Sequence, residues 1–341
     1  MKVVTFGEIM LRLKSPGFER FLQSPMLEAT FGGGEANVAV SLACLGINSS
    51  YVTAVPDNPI GRACIGELSR YGVDTSKVLK TGKRLGTYYL EQGACQRSSV
   101  VIYDREHSSV SETTAEQYDW EKIFEDVSWF HISGITPAIS ANAANVTIAA
   151  VSFAKNKEIQ ISCDLNYRSK LWKYGKKAPE VMSEVMKYVD VAIGNEEDCQ
   201  KSLGIETKIL PNTAGFNEDA YKEITEKVLS TYPNLKKVAI TLRQSNSADI
   251  NGWSAVLNNR KEYLKSVRYD INDVVDRVGS GDAFASGLIY GFHKYGGDKE
   301  ALNFAIAASC LKHSVPGDLP LITETEVLGL LKSGGSGRVQ R

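Results

Sequence analysis

Apolar residues along this chain fall into two kinds of run. Short, nearly unbroken stretches at 3–6, 50–55, 129–133, 159–164, 191–194 and 238–242 predict strands, and their continuity suits strands covered on both faces. Between them the pattern lengthens to a helical period at 35–45, 60–71, 141–155, 179–188 and 219–231. Strand–helix alternation of this kind predicts an α/β fold: a mostly parallel central sheet with helices on both sides.

Two stretches break the alternation. Residues 10–31 and 86–111 have no helical period, and the second reads as a hairpin of 87–92 and 99–104 joined by the polar turn 93–98. Both interrupt the main pattern internally, so they are expected to meet as a small β-sheet projecting from one domain of residues 1–332. Such a sheet is either a lid over a substrate or a solvent-facing decoration. Residues 333–341, rich in glycine and serine, read as a flexible tail.

Composition narrows the ligand. The formal net charge is −1, so no broad basic field exists for a nucleic-acid backbone or an anionic membrane, and a small molecule is expected. The six cysteines lack metal-type spacing and mostly sit in apolar stretches, and four scattered histidines form no zinc pattern. The first residues hold no apolar run long enough for a signal peptide or a span. A reduced, cytoplasmic protein is expected.

The strongest local signal is Asp276-Arg-Val-Gly-Ser-Gly-Asp282. Gly279 and Gly281 permit backbone conformations closed to other residues, and Ser280 is small. A helix starting near Gly281 would offer unpaired amides and its positive dipole end, a site for an anion or for charge developing in a transition state. Asp282 then stands in the first helical turn. It is either an ordinary acidic residue at a helix start or a general base beside a phosphoryl group. A second string, Gly32-Gly-Gly-Glu-Ala-Asn37-Val-Ala39, brings backbone close to a ligand and adds an amide that donates and accepts. A dinucleotide loop fits it poorly, because Asn37 stands in place of the third glycine.

Together the two strings resemble the signatures of ribokinase-like (PfkB) sugar kinases, the first being the D-x-x-G-x-G-D element with Ser280 where alanine is usual. The resemblance implies a three-layer ribokinase-like sandwich with a β-lid, and ATP and Mg²⁺ as cofactors. It implies Asp282 as catalytic base, and Gly279, Ser280 and Gly281 as the anion hole. Asn195-Glu-Glu-Asp198 resembles the family's N-x-x-E element, with Asp198 near the metal's waters in place of glutamate. Nucleotide contacts are implied for Asn166, Arg168, Asn195, Thr241, Arg243 (where many relatives have glycine), Gly279, Gly281 and Ser309. No Walker A string occurs, which removes the P-loop kinases. A homo-oligomer, paired through the lids, is also implied.

Within the family the resemblance extends to members acting on 2-keto-3-deoxygluconate. Tyr103-Asp-Arg105 resembles their Y-x-R element and Asp164-Leu-Asn-Tyr-Arg168 their D-x-N-Y-R segment. The sugar-acid contacts implied are Gly34, Asn37, Tyr89, Tyr103, Arg105, Arg168, Asp282 and Asp318. An arginine fork beside a phenol suits a carboxylate. Fructokinase or ribokinase activity is the alternative within the family, and a catalytically inactive sugar binder the alternative outside enzymology.

Overall fold

The computed structural model describes residues 1–207, 217–245 and 251–334. The apolar runs form a nine-stranded sheet. Its order is Tyr263–Lys265, Asn251–Asn258, Lys237–Ser245, Val191–Gly194, Gln160–Asp164, Trp129–Ser133, Lys2–Phe6 and Asn48–Val52, with Tyr269–Ile271 also paired to Asn251–Asn258. The strands from Lys237–Ser245 to Asn48–Val52 run parallel. Every residue of Trp129–Ser133 and Val191–Gly194 is buried, which is why neither run carries a charged residue.

Helices cover both faces. Ala141–Asn156, Ala178–Met186, Glu196–Leu203 and Glu218–Thr231 pack on one side through Val146, Met182, Val185, Cys199 and Val228. Gly34–Cys44, Ser280–Lys294, Asp298–Lys312 and Glu324–Ser333 pack on the other through Leu42, Phe284, Leu288, Phe304 and Val327. The fold is thus the expected three-layer α/β sandwich. No helix among the described residues is long and apolar enough to cross a membrane.

Three details depart from the apolar pattern. The run 50–55 divides: Asn48–Val52 stays in the main sheet, while Ala54–Val55 pairs with Leu79–Lys80. The sheet also has an antiparallel edge, because Asn251–Asn258 folds back on Lys237–Ser245. Its polar ends hide it from a search for continuous apolar runs. Finally, Ser109–Glu112 is a helical turn, so the second interruption contributes strand only as far as Asp104. Of the expected tail, residues 335–341 lie outside the described residues.

The two interruptions meet in a four-stranded sheet ordered Glu28–Gly32, Met10–Lys14, Gly86–Glu91, Val100–Asp104. Met10–Lys14 and Gly86–Glu91 join them by parallel pairing. In the main sheet, Lys2–Phe6 is flanked by Asn48–Val52, which follows it in the chain, and by the later Trp129–Ser133 on the other side. Successive strands leaving in opposite directions open a crevice at their carboxyl ends, the usual ligand position of such sheets.

Candidate active site

A cleft of about 550 Å³ lies at those strand ends, and residues of the small sheet form part of its wall. Gly279, Ser280, Gly281 and Asp282 line it together with Gly34 and Asn37. Gly279 takes a left-handed conformation, φ 83°, and caps the helix Ser280–Lys294 without any side-chain bond. Glycine is required there twice over, since a Cβ would also come 2.0 Å from the Asp318 carbonyl oxygen. The helix therefore presents its amino end to the cleft uncovered by a side chain. Ser280 departs from the expected trio, because its amide already donates to the Arg277 carbonyl at 3.2 Å.

Asp282 is buried, and the Asn37 amide donates to its Oδ2 at 2.6 Å. Burial pushes its pKa up to about 7, against the lowering effect of the Asn37 bond, with Asp318 and Glu35 adding to the rise and Arg168 opposing it. A carboxylate that titrates near neutrality, beside an open helix amino end, can take a proton from an alcohol. Asn37 is held from its other side by the Gly33 amide at 3.3 Å, so its orientation is set by the glycine turn. Glu35 turns away into the core, where Ser133 and Thr136 hydroxyls donate to it at 2.7 and 2.8 Å.

The small sheet supplies the opposite wall. Arg12, Tyr88 and Tyr103 stand side by side across three strands on one face of the sheet, and Tyr88 and Tyr103 line the cleft. Strand side chains alternate, so Leu13, Tyr89 and Ile102 occupy the other face, where Ile102 is 51% exposed. This corrects the assignment of Tyr89 as a sugar contact: the tyrosine that lines the cleft is Tyr88. Its hydroxyl donates to Asp318 at 2.6 Å. Arg105 does reach the cleft beside Tyr103, with its guanidinium 5.5 Å from that ring's centre. It is not a bare cation, because Glu8 pairs with it, Arg105 Nε donating to Glu8 Oε2 at 2.7 Å.

Sequence reasoning also missed Arg12. The side chain is fully buried, donates to Asp276 Oδ2 at 2.7 Å and pairs with Asp318. Asp276 in turn accepts from the Val278 and Gly317 amides at 3.0 and 3.1 Å. The first aspartate of the glycine string thus binds the loop to a strand of the small sheet. Nothing local to Met10–Lys14 reveals this, since an alternating arginine in a strand normally faces water. Lys312, also buried, donates to the Val315 carbonyl at 2.9 Å, its pKa lowered by burial.

Asn166, Arg168, Asn195, Asp198, Thr241 and Arg243 all line the same cleft. Asn166 has φ 36°, a conformation asparagine tolerates better than most residues, and it turns the chain so that the Tyr167 amide reaches Asp198 at 2.8 Å. Asn195 and Asp198 cap the helix Glu196–Leu203 reciprocally, at 2.8 and 2.9 Å. Arg243 lies over the Trp253 ring, 4.8 Å from its centre. Ser309 also departs from its expected place as a nucleotide contact. It is fully buried, accepts from Trp253 at 2.9 Å and donates to the Ser280 carbonyl at 2.7 Å, so it supports the glycine loop from behind and does not line the cleft.

Among the described residues no cluster of three or more His, Cys, Asp or Glu side chains could hold a metal by itself. Magnesium, however, is usually held by one or two carboxylates and substrate phosphates, with waters retained. Asp198 and exposed Glu197 in the cleft suit that mode, Asp198 keeping a lone pair on each oxygen beyond its amide bonds.

A buried carboxylate at an open helix end, in the switch-point crevice of a parallel sheet and partly walled by a small sheet, has the form of a small-molecule phosphotransferase site. The model of the pfkB family of carbohydrate kinases matches residues 1–324. Over 336 residues the chain is 31% identical to the 2-dehydro-3-deoxygalactonokinase of Haloferax volcanii, covering 98% of both chains. Over 333 residues it is 28% identical to the 2-dehydro-3-deoxygluconokinase of Bacillus subtilis, covering 96% of this chain and 94% of that one. The crystal structure of 2-dehydro-3-deoxygluconokinase from Thermotoga maritima superposes with a TM-score of 0.92 at 46% identity, covering 98% of this chain and 100% of that one. The chain belongs to the pfkB family of carbohydrate kinases and is an ATP-dependent sugar kinase.

Proposed function

We propose that the protein transfers the γ-phosphoryl group of ATP to the C6 hydroxyl of 2-keto-3-deoxygluconate. The observation that carries the substrate is that Tyr103 and Arg105 line the same cleft as Asp282 and Gly34, from the small-sheet side. An arginine fork and a phenol together suit the carboxylate of a sugar acid and have no counterpart to bind in fructose. The relatives named 2-dehydro-3-deoxygluconokinase and 2-dehydro-3-deoxygalactonokinase support the same class of substrate.

Asp282 takes the hydroxyl proton as the alcohol oxygen attacks phosphorus, and the bond from phosphorus to the ADP oxygen breaks. The open amino end at Gly279 and Gly281 stabilises charge on the transferring group. Asn166, Arg168, Asn195, Thr241 and Arg243 hold the nucleotide in the same cleft. Mg²⁺, when bound with ATP, neutralises phosphate charge, and Asp198 and Glu197 would hold its waters.

Turnover on a panel of the keto acid, its galactonate counterpart and fructose tests this reading. Arg105→Ala should raise KM for the acid about 10- to 100-fold, as expected for a lost charge-assisted bond, and leave KM for ATP nearly unchanged. A wild-type preference for fructose would overturn the substrate and leave the kinase class standing. The Haloferax relative makes the galactonate counterpart the second reading, and the ratio of the two kcat/KM values decides between them.

The small sheet acts as a lid that closes on the sugar. Hydrogen exchange should slow in Met10–Lys14, Glu28–Gly32, Gly86–Glu91 and Val100–Asp104 when the sugar is added. Unchanged exchange under saturating sugar would make it a fixed wall. Exposed Val100 and Ile102 on its outward face support pairing of two lids in a homo-oligomer.

A further inference from the structure

Glu8 lies between the strands Lys2–Phe6 and Met10–Lys14, where the main sheet passes into the small one. It is 3% exposed and lines the cleft alongside Met10, Tyr103 and Arg105. Its two carboxylate oxygens are unequal. Oε2 takes the Arg105 guanidinium, while Oε1 is buried and has no hydrogen-bond partner. Space for Oε1 depends on Gly86, where a Cβ would come 2.7 Å from that oxygen.

A buried carboxylate oxygen without a donor is costly, and native proteins leave few such atoms unmatched unless a ligand or water supplies the donor. A guanidinium gives donors only, so Arg105 can take a substrate carboxylate but cannot accept a hydrogen bond from a hydroxyl. Glu8 is the complementary group, an acceptor beside it. We propose that Glu8 is a specificity-determining residue whose Oε1 accepts a hydrogen bond from a secondary hydroxyl of the sugar acid while Oε2 aims Arg105 at the carboxylate. The pair then reads two features of one substrate, a carboxylate and a hydroxyl at fixed separation. This rests on the sugar-acid reading above and adds to it a hydroxyl contact.

A cycle of enzyme and substrate variants tests the contact. Wild type, Glu8→Ala and Glu8→Gln are each assayed with 2-keto-3-deoxygluconate and with its 4-deoxy and 5-deoxy analogues. In wild type, losing the hydroxyl that Glu8 reads should lower kcat/KM about 10- to 100-fold, the scale of a hydrogen bond to a charged group. In Glu8→Ala that analogue and the parent should become nearly equal, within about threefold, because the acceptor is gone. Glu8→Gln, of the same size, should show an intermediate ratio, and it carries the cycle if Glu8→Ala fails to fold. Equal penalties for each missing hydroxyl in wild type and variants would overturn the proposal. The substrate reading fails separately, if wild type prefers fructose to the keto acid.

Discussion

Asp282→Asn should lower kcat by about 10²-fold or more while sugar and ATP still bind, since the amide keeps the shape but cannot accept the proton. The same exchange should stabilise the fold at pH 8. Burial raises the folded pKa of Asp282 to about 7 from an ordinary carboxylate value of 3.8. A carboxyl raised in the folded state binds its proton more tightly there than in the unfolded chain. Its favourable contribution is therefore complete below about pH 4 and is lost as pH rises through about 7. Above that range the buried charge costs about 4 kcal/mol, which the neutral amide removes. Melting temperatures of wild type and variant should accordingly differ by several degrees at pH 8 and converge near pH 4. The chemistry follows the same group: kcat/KM of wild type should fall about tenfold per pH unit below about pH 7. A variant with near-normal kcat, or one no more stable than wild type at pH 8, would remove Asp282 from this role.

Arg12→Met should be among the most destabilising single exchanges in the chain. The arginine is fully buried between Asp276 and Asp318, and removing it leaves two buried carboxylates facing each other. Breaking a buried pair from one side costs about 3–5 kcal/mol, mostly through the orphaned charge. For a chain of this size the melting temperature should drop by roughly 4–7 °C. Because Asp276 anchors Val278 and Gly317, the glycine loop should loosen and kcat should fall as well. If orphaned charge is the cause, adding Asp276→Asn and Asp318→Asn to Arg12→Met should restore part of the stability. A single variant within about 1 kcal/mol of wild type would show that the cluster is not what holds the small sheet to the loop.

What was legible in the sequence is local or periodic. Continuous apolar runs marked the parallel strands because a strand covered on both faces has no polar side. Gly279, Gly281 and Asp282 could be read together because a helix amino end is built by consecutive residues, whatever surrounds it. Tyr103 and Arg105 could be placed on one face because strand alternation follows from backbone geometry.

Tyr89 shows where that ends: parity says that Tyr88 and Tyr89 face opposite ways, and only the pairing of Gly86–Glu91 with Val100–Asp104, which sets Tyr88 opposite Tyr103, says which one faces the cleft. Ser309 fails for a related reason. Its place in a helix says nothing of the Trp253 and Ser280 partners that bury it.

The sequence by itself determined the α/β class, the two interrupting segments and the glycine loop with its aspartate, since each depends on neighbours a few residues apart. Only the tertiary structure decided the charge states and partners in the cleft. Asn37 lies 245 residues from Asp282, and Arg12 lies 306 from Asp318. Burial and Coulomb energies depend on distance in space, and it is folding that brings such residues within 3 Å of each other.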